Sequence, residues 1–305
     1  MRKEAKEAKR VNVNGQQGYH ARTTSGNYAS QGFTRPFAVR NSDRWIEADG
    51  TPKSYGFEWE MTSRIHQTRV LATIIEKCIY PLFPEGLFKQ QSDGSLGGNS
   101  STEVISMPMT KAYIRNAYNS FKAAYDFLAA IDTMPDDSCG MHVNISMPCF
   151  GATREKQEAA VLRLHNWMCD NYNFACALLK RSTSRTQYCG QMQRGTLGGG
   201  GAHCYMMNYA HMNEGAAARV EIRLVGPQKS FGSFRNTFEV VFHLVEAAKE
   251  GRDFGNVVRL FKGCNECVLD RLNDLRAMGY ISDANYEAIK ASSINAGIKA
   301  ATLTR

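Results

Sequence analysis

The sequence predicts an α+β protein in which helices cover one face of a largely antiparallel sheet. Strand-like and helix-like segments are mixed along the chain, and some strand-to-strand connections are short. Three segments also alternate apolar and polar side chains with the period of a strand: Tyr55–Met61, Met141–Met147 and Arg219–Val225. Successive strand side chains point to opposite faces. Tyr55, Phe57, Trp59 and Met61 therefore share one face, and Glu58 and Glu60 the other. Val143, Ile145 and Met147 oppose His142, Asn144 and Ser146; Val220, Ile222 and Leu224 oppose Arg219, Glu221 and Arg223. If these strands join one sheet, a single surface collects three carboxylates, an imidazole and two guanidiniums. Such a surface gains little from facing carboxylates unless a cation sits among them.

Along the chain, residues 1–44 are rich in Gly, Asn, Ser, Gln, Thr and Arg and read as a disordered or extended basic arm. A catalytic domain is expected over 45–250 and a helical extension over 251–305. After the first strand, Thr62 to Leu82 has mainly helical apolar spacing and stops at Pro81 and Pro84. Asp93-Gly94 marks a turn leading to a short strand, Glu103–Met107, ended by Pro108. Ala112–Ile131 reads as one amphipathic helix. Thr153 caps a long helix to about Lys180, with Glu155 in its first turn favouring the helix dipole. Residues 181–203 read as irregular, and a strand is expected near Tyr205–Tyr209. Helices are expected near 233–250, 254–262, 265–278 and 283–292.

Of the net charge of +8, +6 falls in residues 1–44. That arm fits either an acidic partner such as nucleic acid or a solvated tail. No apolar run approaches a membrane span, and the charged N-terminus lacks a signal-peptide pattern, so a cytoplasmic protein without membrane attachment is expected. Nine cysteines without framework spacing suggest free thiols. Cys264 and Cys267 form a lone CxxC that reads more readily as helix packing than as a zinc site.

Glu58 and Glu60 would repel each other unless a cation or shared proton intervened. Mg²⁺ and Mn²⁺ favour carboxylate oxygens, and the softer ions also accept imidazole. Glu58, Glu60, Glu103, His142 and Glu221 are accordingly the candidate metal ligands, suited to orienting a nucleotide for phosphoryl transfer.

Four segments in order, Gly56-Phe-Glu-Trp-Glu60, Asp93-Gly-Ser-Leu96 with Glu103, Cys139-Gly-Met-His-Val-Asn-Ile-Ser146 and Arg219-Val-Glu-Ile-Arg223, resemble the motifs of the amidoligase family. These are carboxylate–amine ligases related to glutamine synthetase and glutamate–cysteine ligase. The resemblance covers roughly residues 55–226. It implies a glutamine synthetase-like sheet with a polar concave active-site face. It also implies ATP and Mg²⁺ or Mn²⁺ as cofactors, and small-molecule or peptide carboxylate and amine substrates. Glu58, His142 and Glu221 would hold one metal, and Glu60 with Glu103 a second. Arg223 would meet the transferring phosphoryl group. Asp93 and Ser95 would lie at the substrate or ammonium side, with Ser95, Arg185 and Arg219 as nucleotide contacts. The family often has a second histidine where this chain has Asn144, an amide that suits a substrate or water contact better than a metal. Gly198–Gly201 adds a candidate mobile loop. The alternative reading is a non-catalytic binding or assembly protein on the same fold, using the basic arm.

Overall fold

In the computed structural model, residues 53–254 are described apart from 67, 85–86, 92–95, 97–99, 183–188, 196, 198–203, 215–217 and 253. Single positions at 276, 283 and 287 are also described. The basic arm, the expected start near residue 45, the Cys264/Cys267 pair and the last three expected helices lie essentially outside these residues. The described part is a mixed helix-and-sheet structure. β1 (Tyr55–Ser63) takes the middle of the sheet because both its edges find partners. On one side lie β3 (Ser101–Ser106) and then β2 (Phe88–Gln91). On the other lie β5 (Met141–Ser146), β7 (Arg219–Ile222) and β6 (Met207–Asn208), while β4 (Thr133–Met134) pairs with the far end of β1. Every pairing is antiparallel.

The helices cover the apolar face. α1 (Thr68–Ile74), α2 (Lys111–Asn116), α3 (Tyr118–Ala130), α4 (Arg154–Asp170), α5 (Tyr172–Leu178) and α6 (Phe231–Glu250) follow in order. The expected inward residues of the three polar-faced strands all lie in one buried cluster. Phe234 of α6 is its hub, with ring centroids 5.5 Å from Phe57, 4.7 Å from Phe121 and 5.7 Å from Tyr125. Tyr55 packs edge-on against Phe242, and Trp59 lies 4.7 Å from Tyr125. Such aromatic contacts add roughly 0.5–1.5 kcal/mol each beyond burial.

Several expected boundaries are corrected. The helix expected from Thr62 starts at Thr68, because Thr62 and Ser63 stay in β1, paired with β3 and β4. It then widens into a π turn over Ile75–Ile79 and tightens into a 3₁₀ turn over Tyr80–Leu82, where Pro81 has no N–H to continue the ladder. The helix expected over 112–131 is two, bent at Ala117, and Thr110 caps the first by accepting from the Tyr113 N–H at 3.1 Å. Thr153 caps α4 as expected, but the helix ends at Asp170 and α5 begins after Asn171. Strands β2 and β4 carry too few residues to display a pattern.

Behind the site, the chain leaving α5 crosses the end of β7. A Cβ on Gly226 would lie 1.9 Å from the Lys180 carbonyl oxygen, so only glycine permits this approach. The half-buried Arg181 guanidinium, beside Gly140, donates to the carbonyls of Cys139, Arg223 and Val225 and links the chain before β5 to the chain after β7.

Candidate metal centre

Strand register arranges the polar face in rows. Glu60 stands opposite Glu103. Glu58 stands opposite His142 on one side and Ile105 on the other. Asn144 faces Glu221, which faces Asn208, and Ser146 faces Arg219. Ile105 breaks the alternation of β3: it is a buried apolar residue on the polar face, beside Glu103. All five expected metal-ligating side chains converge here, drawn from four strands.

His142 is the centre of the group. Its Nδ1 lies 3.0 Å from Glu58 Oε2 and 3.3 Å from Glu221 Oε1, and its Nε2 lies 3.6 Å from Glu60 Oε1. The ring thus offers opposite nitrogens to two donor groups. One is Glu58, His142 and Glu221; the other is Glu60, Glu103 and His142; in each the ligand atoms lie within 4.8 Å of one another. Arg223, one residue beyond β7 on the same face, donates Nη1 to Glu221 Oε1 at 2.6 Å. Glu60 also accepts from the Gly140 backbone N–H.

The electrostatics follow from burying unlike charges together. Burial alone would raise the pKa of Glu58, but the His142 hydrogen bond and the charges of His142 and Arg223 hold it down at about 2. Burial would also make His142 less basic. The Glu58 bond, with Glu60 and Glu221, outweighs burial and Arg223 and raises it. Four carboxylates against the Arg223 guanidinium, the Lys89 ammonium and one imidazole still leave an excess of negative charge that a hard divalent cation matches. The donor set therefore fits Mg²⁺ or Mn²⁺.

The other expected site residues divide. Arg219 and Asn144 reach the same face but bind each other, Arg219 Nε donating to Asn144 Oδ1 at 3.1 Å. Arg219 also pairs with Glu214 at 3.0 Å, and His211 braces Glu214 at 2.8 Å. Asp93, Ser95, Arg185 and Gly198–Gly201 lie outside the described residues. Two residues on this face escaped the sequence reading. Asn208 donates to Glu221 Oε2 at 2.8 Å. Lys89 shares the polar face of β2 with Glu103 and Glu58 nearby; burial lowers its pKa, against the pull of both carboxylates. The signal for Lys89 was the Asp-Gly turn, which implies a strand before it as well as after it.

Cys139 and Cys176 are buried and poor candidates for a nucleophile. All cysteines among the described residues are free, and burial pushes the Cys139 and Cys176 thiols up to about 12. No family model matches the chain, and comparison with curated proteins returns no significant match. No helix among the described residues is long and apolar enough to cross a membrane.

Proposed function

We propose that the protein is an ATP-dependent carboxylate–amine ligase on a glutamine synthetase-like sheet, forming an amide through an acyl phosphate. The observation that carries this reading is the single buried face on which four glutamates surround His142 with Arg223 alongside. Glu58, His142 and Glu221 would hold one divalent ion, and Glu60 and Glu103 a second. Bound there, the ions supply charge neutralisation of nucleotide phosphates. Arg223 is buried and kept charged by Glu221 and Glu58 against the cost of burial, so it presents a fixed cation to a phosphoryl oxygen. The strand scaffold fixes these side chains without loop rearrangement, which favours a preorganised site.

The test is incubation of the full chain with Mg²⁺- or Mn²⁺-ATP, ammonia or amines, and a library of carboxylates. Phosphate release with a product one water lighter than its carboxylate and amine together supports the reading. Absence of ATP binding and of phosphate release across the library overturns it. Phosphate release without an amide product identifies a phosphatase instead, and ADP with a stable phosphorylated acceptor but no free phosphate identifies a kinase.

A further inference from the structure

Glu58 and Glu221 are each held at one oxygen by an asparagine. Asn144 Nδ2 donates to Glu58 Oε1 at 3.1 Å, and Asn208 Nδ2 donates to Glu221 Oε2 at 2.8 Å. The amide orientations are fixed by chemistry, because the other end of each accepts from an obligate donor. Asn144 Oδ1 takes the Arg219 Nε–H at 3.1 Å, and Asn208 Oδ1 takes the Ala210 backbone N–H at 2.9 Å. Both asparagines are buried, so water does not compete freely for these bonds. One oxygen of each carboxylate is turned toward the imidazole, Oε2 of Glu58 and Oε1 of Glu221, the latter also accepting from Arg223 Nη1 at 2.6 Å.

We propose that Asn144 and Asn208 are positioning residues that restrict Glu58 and Glu221 to one ligating oxygen each, and so select a small octahedral ion over Ca²⁺. Ca²⁺ takes six to eight oxygens and favours bidentate carboxylates, whereas Mg²⁺ keeps near-ideal octahedral geometry. A buried amide donating to one oxygen uses one of its lone pairs and fixes the carboxylate's orientation, so swinging both oxygens onto one ion strains that bond. Neither asparagine need touch substrate, which gives Asn144 a role other than the substrate contact expected from its position. The proposal rests on the metal reading above, and it goes beyond that reading by assigning what sets the choice of ion.

The experiment measures Mn²⁺ binding to the full chain by electron paramagnetic resonance and its displacement by Ca²⁺, in wild type, Asn144→Ala and Asn208→Ala. Loss of an outer hydrogen bond typically costs roughly 10–100-fold in metal affinity. The expected result is a fall of about tenfold in the preference for Mn²⁺ over Ca²⁺ in each variant. A merely structural role would weaken both ions together and leave their ratio unchanged, which overturns the proposal. Asn208 also bonds a backbone N–H, so Asn208→Ser and Asn144→Ser, which keep a short acceptor, are read if an alanine variant does not fold. No Mn²⁺ binding by the wild type overturns the metal reading itself; binding with an unchanged ratio in every folded variant overturns this assignment alone.

Discussion

Glu60 is set deep on the polar face, directly across from Glu103 and within reach of His142. Like charges opposite one another on a sheet destabilise it, while the imidazole and the Gly140 N–H work the other way. Glu60→Gln keeps an acceptor for Gly140 and removes a ligand charge. Its metal-free stability by urea unfolding should stay within about 1 kcal/mol of wild type. Turnover should fall at least about 100-fold, beyond the usual cost of losing an outer-shell partner. Unchanged turnover would remove Glu60 from the site. Glu58, Glu60, Glu221 and His142 were legible because strand alternation exposes which side chains share a face, whereas Ile105 masks that alternation beside Glu103. Asn208 was not, because β6 is two residues long and offers no period. Lys89 was hidden in the same way by the brevity of β2.

At the scale of elements, α6 is tied to α2 and α3 by an ion pair outside the core. Arg115 of α2 and Tyr118 of α3 both donate to Glu239, at 2.8 and 2.9 Å for the Oε1 contacts. Burial would raise the Glu239 pKa, but Arg115 and Tyr118 together lower it. A carboxylate with a depressed folded pKa adds stability that is complete above the ordinary value of 4.5 and fades as pH falls below it. Wild type should therefore exceed Glu239→Gln by up to about 1 kcal/mol in urea unfolding at pH 6. The difference should shrink at pH 3.5, and a constant difference would place the effect in packing. Helix boundaries were the least legible level. The bend at Ala117 has no glycine or proline to announce it, and the late start of α1 reflects the reach of β1 into pairings that only the folded sheet supplies.

For the molecule as a whole, the candidate ligands come from strands that begin at Tyr55 and end at Ile222. An ion bound to them is bound to the native state alone. Mn²⁺ at 100 times its dissociation constant should stabilise the wild type by about 2.7 kcal/mol. Glu221→Gln should lose most of that gain in the same thermal melts, and an equal gain in both proteins would place the ion elsewhere. The overall class was legible because three alternating strands and several amphipathic segments agree with one layered packing. Strand order was not, because nothing local says that β1 lies between β3 and β5.

That central place of β1 has a consequence for how the chain is made. Its apolar side chains, Tyr55, Phe57, Trp59 and Met61, leave the ribosome first among the sheet residues, yet their covering rings Phe234, Phe238 and Phe242 come from α6, the last helix whose range is given. At ~5–20 residues per second, the wait from Tyr55 to Phe234 is roughly 10–35 s. During that interval β1 has only earlier-made partners, such as the Phe121 and Tyr125 rings, to cover its apolar face, and the part left bare is an aggregation hazard.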